Sequence, residues 1–115
     1  MTVLVADDSP VARYTLLREL RKAGIEPACV STAAEALALS LDDAGLTCAL
    51  LDLDLGDAPG TVVAERLRAR HPDMPIAFFT SSRETDAAAS FGPVFAKPQD
   101  LADAVAWVSA RTEKH

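Results

Sequence analysis

The residues able to do chemistry stand at the ends of apolar runs. Asp7 and Asp8 follow the run at 2–6, Asp52 closes the run at 47–52, Thr80-Ser81-Ser82 follow 75–79, and Lys97 follows 94–96. Asp54 and Asp57 lie just beyond Asp52 and add to its charge. Carboxylates brought together raise one another's pKa unless a cation stands between them. An all-oxygen donor set with no His or Cys beside it suits magnesium better than zinc. One acid at a strand end is commonly just a helix cap. Three gathered at one place imply a hard divalent cation. Thr80 and Ser81 offer a hydroxyl and backbone amides to an anionic oxygen, although hydroxyls that open a loop also serve as caps. Lys97 has the length to reach the acids. Cation, hydroxyl, lysine and carboxylate together suit phosphoryl transfer, where catalysis is mostly positioning and charge neutralisation. Asp52 can itself be the nucleophile and become an acyl phosphate.

Whether these residues meet depends on the elements between them. Apolar runs alternate with stretches of helical period, five times over. The first strand covers 2–6. Ser9 as N-cap and Pro10 at the first helical position then open a helix carrying Val11, Tyr14, Leu17 and Leu20, which Gly24 ends. A short strand is expected at 27–30. Thr32 and Glu35 form a capping box before a helix that runs to Ala44. The strand at 47–52 lacks polar alternation, which marks burial on both faces and hence a parallel sheet. Beyond a loop with Gly56, Pro59 and Gly60, a third helix carries Val62, Val63 and Leu67 and stops near His71-Pro72. A strand at 75–79, about two helical turns at 83–90 and a strand at 94–96 follow. Asp100 then caps a last helix with Leu101, Val105 and Val108. This is a (βα)5 α/β chain, one domain over 1–115. Its parallel sheet is covered on both faces by right-handed crossovers. In the common strand order 2-1-3-4-5, ligands bind where the order reverses, between strands 1 and 3. Asp7, Asp8 and Asp52 end those two strands.

The motifs Leu4-Val5-Ala6-Asp7-Asp8-Ser9, Leu50-Leu51-Asp52-Leu53-Asp54-Leu55 with Gly60, Phe79-Thr80-Ser81 and Ala96-Lys97-Pro98 resemble the receiver domain of two-component response regulators, a flavodoxin-like three-layer fold. The resemblance spans essentially the whole chain. It implies that Asp52 is the phosphoacceptor, fed by a sensor histidine kinase or histidine phosphotransfer protein. Mg2+ would contact Asp8, Asp52 and the backbone carbonyl of Asp54, with Asp7 helping through water. Thr80, the Ser81 amide and Lys97 would hold the phosphoryl oxygens. The Lys97-Pro98 bond is cis in such proteins, and Asp54 and Ser82 occupy the positions that tune dephosphorylation. Phosphorylation then biases a two-state face near strands 4 and 5 toward a downstream partner, an effector domain or a phosphorylation-linked homodimer.

The chain departs from that pattern in two places. Thr80 and Lys97 are 17 positions apart, fewer than usual, so helix 4 must be shortened or unwound. Val94 stands three before the lysine where a switch aromatic is usual, with Phe95 next to it. Both fall on the α4-β5-α5 face, so ordinary phosphorylation chemistry with altered signalling is expected.

Composition narrows the alternatives. At 115 residues with half of them apolar, the chain can bury a core. A net charge of -6 and a pI near 4.7 argue against direct nucleic-acid binding, which needs a basic stripe. No apolar run approaches the roughly 20 residues of a membrane span, and the N-terminus lacks a basic signal region; a cytoplasmic protein is expected. Cys29 and Cys48 sit in apolar stretches and read as reduced, buried thiols, and His71 and His115 as incidental. Trp107 lies to one side of the Leu101-Val105-Val108 line, as an edge-of-core residue or a partner contact. Two other functions compete with the phosphorylated receiver. One is a pseudo-receiver that binds partners without phosphorylation. The other is a haloacid-dehalogenase-like phosphatase using Asp52 and Asp54, which would leave Asp7-Asp8 unexplained.

Overall fold

Strand β1 (Thr2–Ala6) is buried on both sides, with Leu4 and Ala6 facing one helical layer and Val3 and Val5 the other. Such a strand has to lie inside a parallel sheet. The computed structural model, which describes residues 2–42 and 45–112, shows that sheet. The chain continues through α1 (Pro10–Lys22), β2 (Ala28–Val30), α2 (Ala33–Asp42), β3 (Leu46–Leu51), α3 (Gly60–Arg70), β4 (Ile76–Thr80), α4 (Asp86–Ala89), β5 (Val94–Ala96) and α5 (Leu101–Thr112). All strand pairs are parallel, in the order β2-β1-β3-β4-β5. The expected end of the second helix at Ala44, and His115, lie outside the described residues.

One face of the sheet packs on α2, α3 and the short α4 through Ala36, Val63, Leu67 and Ala88; the other packs on α1 and α5 through Leu16, Leu20, Ala104 and Val108. No helix among the described residues is long and apolar enough to cross a membrane. Cys48 is buried, which pushes its thiol up to about 11, and Cys29 is half-buried. Both cysteines are free.

Several local expectations need correction. The buried stripe of α1 is Leu16 and Leu20, whereas Val11 is 75% exposed and Tyr14 65%. The i, i+3 line from Val11 drifts around the helix, and the sheet receives the i, i+4 line instead. Helix α4 is a single turn, shorter than the two expected. Asp100 precedes α5, but its Oδ2 accepts a hydrogen bond from Ala96 N at 3.0 Å, tying β5 to the helix start. The first half of the expected capping box is present, Thr32 Oγ1 accepting from Glu35 N at 3.0 Å, but the Glu35 carboxylate returns to the Ser31 amide and to the Ser31 and Thr32 hydroxyls. Val94 and Phe95 point to opposite faces, Val94 toward the α2-α3 layer and Phe95 toward α1-α5. Strand alternation therefore prevents Phe95 from substituting for an aromatic at position 94. Trp107 lies half-buried at the edge of the α1-α5 core, with the Arg111 guanidinium 5.1 Å from its ring centre.

Candidate functional site

The pairing of β1 with β3 sets Ala6 opposite Leu51, and the Asp52 amide donates to Ala6 O at 2.8 Å. The next residues on each strand, Asp7 and Asp52, therefore emerge side by side at the C-terminal edge of the sheet, where the strand order reverses. Asp7 is 1% exposed and Asp52 8%, while Asp8 is open to solvent. One oxygen from each of Asp7, Asp8 and Asp52 lies within 4.8 Å of the others. The three donors are all carboxylate oxygens, a hard set that fits magnesium.

Lys97 enters this cluster from the end of β5. Its Nζ lies 2.6 Å from Asp7 Oδ2 and 3.1 Å from Asp52 Oδ2, above the Phe79 ring. Burial alone would pull the Lys97 ammonium down, but its contacts with Asp7 and Asp52 outweigh that and hold it protonated above its usual value. Burial pushes the Asp7 carboxyl up, against the opposing bonds from Lys97 and from Ser9 N at 2.9 Å. Arg13 of α1 donates to the Asp7 carbonyl at 2.7 Å, fixing the end of β1 from the helix side. The Lys97-Pro98 bond is cis.

Thr80 is buried at the end of β4, and its carbonyl accepts from Lys97 N at 2.9 Å. Its Oγ1 accepts from Ser82 N at 3.1 Å, which orients the hydroxyl on the rim of the crevice. Ser81 is exposed on the same rim. Ser82 Oγ accepts from Glu84 N within the loop, and α4 starts later, at Asp86, so neither serine caps that helix. A cleft of about 740 Å³ opens over Asp8, Asp52, Thr80 and Lys97, walled by Val11 of α1 and Leu101 of α5.

Two acids expected near the crevice stay out of the cluster. The Asp54 carboxylate is exposed and accepts from Gly56 N at 3.0 Å, so its side chain serves the loop. Asp57 turns away to the N-terminus of α2. Gly60 matters more than its place in a turn suggests. A Cβ there would lie 1.9 Å from the Asp52 carbonyl oxygen, so α3 can start this close to the acceptor strand only with glycine. Residue spacing carries no sign of that approach.

Residues 3–108 match the family model described as the response regulator receiver domain. The chain belongs to the response regulator receiver family. No curated protein matches the sequence. The receiver is similar to a CheY-like receiver domain protein from Methanospirillum hungatei JF-1, at 22% identity and TM-score 0.85, covering 96% of this chain and 91% of that one. It is also similar to the response regulator protein TrrA of Thermotoga maritima, solved in complex with Mg(2+)-BeF, at 22% identity and TM-score 0.86, covering 96% and 97%. A receiver protein from Sinorhizobium medicae WSM419 shares 26% identity with TM-score 0.81 over 96% of each chain. Acidic pocket, lysine and threonine thus stand on the five-stranded parallel fold of a receiver.

Proposed function

We propose that this receiver takes a phosphoryl group onto Asp52 from a phosphohistidine of a sensor kinase or phosphotransfer protein. The observation that carries this reading is the convergence of Asp7, Asp8 and Asp52 within 4.8 Å beside the Lys97 ammonium, with the Thr80 hydroxyl on the same rim. In the transfer, an Asp52 oxygen forms a bond to phosphorus as the bond from phosphorus to the donor nitrogen breaks, and the freed imidazole takes up a proton. Mg2+ held by Asp8, Asp52 and the Asp54 carbonyl, with Asp7 helping through water, would supply neutralisation of the phosphoryl charge. Lys97 would exchange its Asp52 contact for a phosphoryl oxygen, and Thr80 and the Ser81 amide would donate to others. Asp52 then carries the group on a loop that Lys97 and Thr80 tie to β4 and β5, and the bias passes to a downstream partner, an effector domain or a second copy.

The phosphatase alternative gains no support. It would leave Asp7 and Asp8, which share the acidic cluster with Asp52, without a role. Intact-mass measurement after incubation with acetyl phosphate, with and without Mg2+, tests the proposal. A single Mg2+-dependent adduct is expected, lost in Asp52→Asn. No adduct under any condition would overturn it in favour of a pseudo-receiver.

A further inference from the structure

The first amides of a helix have no acceptor within it, and at α2 those of Ala33, Ala34 and Glu35 can be traced. Ala36 N makes the first helical bond, to Thr32 O at 3.1 Å, and Glu35 N donates to Thr32 Oγ1 at 3.0 Å. The two that this local cap leaves over are taken by one side chain: Ala33 N donates to Asp57 Oδ1 at 2.9 Å and Ala34 N to Oδ2 at 3.0 Å. These bonds hold the Asp57 carboxyl below its usual value. Asp57 is 24 residues further along the chain than Ala33, in the loop that follows the acceptor. That loop is closely tied within itself. Asp57 N donates to Leu55 O at 2.9 Å, Leu55 N to Ala58 O at 3.3 Å and Gly56 N to Asp54 Oδ1 at 3.0 Å. At its other side it faces the acidic site: Asp54 lines the same cleft as Asp8 and Asp52, and a Cβ built on Gly56, whose φ is +80, would come to 4.0 Å from Asp8 Oδ2.

We infer that Asp57 is a positioning residue for the acidic site. By gripping the N-terminus of α2 with both oxygens it fixes the loop that presents the Asp54 carbonyl, so cation binding at Asp8 and Asp52 and order at the start of α2 are coupled; this rests on the cation-binding reading proposed above. Coupling of this kind is reciprocal. Loading the cation strengthens protection of the Ala33 and Ala34 amides, and loss of the grip weakens the cation. Asp57 itself touches neither the cation nor the phosphoryl group.

The test titrates Mg2+ calorimetrically, without a phosphodonor, into the parent chain, Asp57→Ala, Asp57→Asn and Thr32→Ala, and measures adduct formation against Mg2+ concentration in parallel. Asp57→Ala is expected to raise the Mg2+ dissociation constant by about three- to tenfold, less than the roughly 10- to 100-fold typical when a direct partner of a metal ligand is lost, with the adduct plateau retained at saturating Mg2+. Asp57→Asn keeps one acceptor oxygen and falls between, and it carries the test should the alanine variant fail to fold. Thr32→Ala loosens the same helix end but leaves both Asp57 bonds in place, and is expected to weaken Mg2+ less than either Asp57 variant. Unchanged binding in the Asp57 variants, or equal weakening by Thr32→Ala, overturns the inference while the receiver reading stands. A parent chain that neither binds Mg2+ nor forms the adduct overturns both.

Discussion

Lys97 is the residue through which the charge of the site is balanced. Its ammonium is the cation beside two buried carboxylates, at 2.6 Å from Asp7 and 3.1 Å from Asp52. Removing one partner of such a group leaves the others buried without compensation. Lys97→Met is therefore expected to destabilise the fold by about 1–3 kcal/mol at neutral pH, measured by urea denaturation. The sign of the pH dependence follows from Asp7, which burial already pushes up and which rises further without the ammonium. A carboxyl with a raised folded pKa costs stability when ionised, so the deficit should shrink as pH falls toward the unfolded value of about 3.9. Millimolar Mg2+ should recover part of it, because a ligand that binds only the folded state stabilises by mass action. A variant as stable as the parent at pH 7, and indifferent to Mg2+, would show that the acids need no cation.

At the scale of elements, α1 distinguishes the sequence pattern from the packed helix. The line Val11, Tyr14, Leu17 and Leu20 reads as the apolar stripe, yet the sheet receives Leu16 and Leu20. Leu16→Ala and Leu20→Ala should each cost about 2–5 kcal/mol, as buried leucines do. Val11→Ala and Tyr14→Ala should stay within about 0.5 kcal/mol. The reverse ranking in chemical denaturation would turn the other face of α1 inward. The one-turn α4 is held by a different device. Arg68 of α3 donates to the Phe91 carbonyl at 2.8 Å while its guanidinium stands over the Phe91 ring, and Phe91 meets Phe78 of β4. A Cβ at Gly92 would fall 1.8 Å from the Ile76 carbonyl, so the chain can return this close to β4 only with glycine there.

The whole molecule consists of two apolar layers that share one sheet. Leu4, Ala49 and Leu51 face the α2-α3 layer, and Val3, Val5, Cys48 and Leu50 face the α1-α5 layer. Since the same strands carry both faces, neither layer keeps its partner surface if the other melts. Unfolding followed by Trp107 fluorescence, which senses the α1-α5 layer, and by far-UV circular dichroism, which senses every helix, should give coincident transitions. Separate midpoints would mean that one layer opens independently.

The alternation of apolar runs with helical stretches, the placement of Asp7, Asp8, Asp52, Thr80 and Lys97 at strand ends and the short stretch before β5 were all legible from the sequence. Each is a local property: burial on both faces leaves a strand without polar alternation, and strand ends in a parallel sheet share one edge. Tertiary structure alone decided the rest. Which stripe of α1 turns inward depends on how the helix lies on the sheet, the glycine at 60 on how closely α3 starts against the Asp52 carbonyl, and the separation of Val94 from Phe95 on the side from which each layer approaches β5. Asp57 shows the limit most plainly. Its type and position in the acceptor loop suggested another acid for the crevice, but the two helix amides that bind it lie 24 and 23 residues away. Only the packed arrangement of α2 beside that loop brings them within reach.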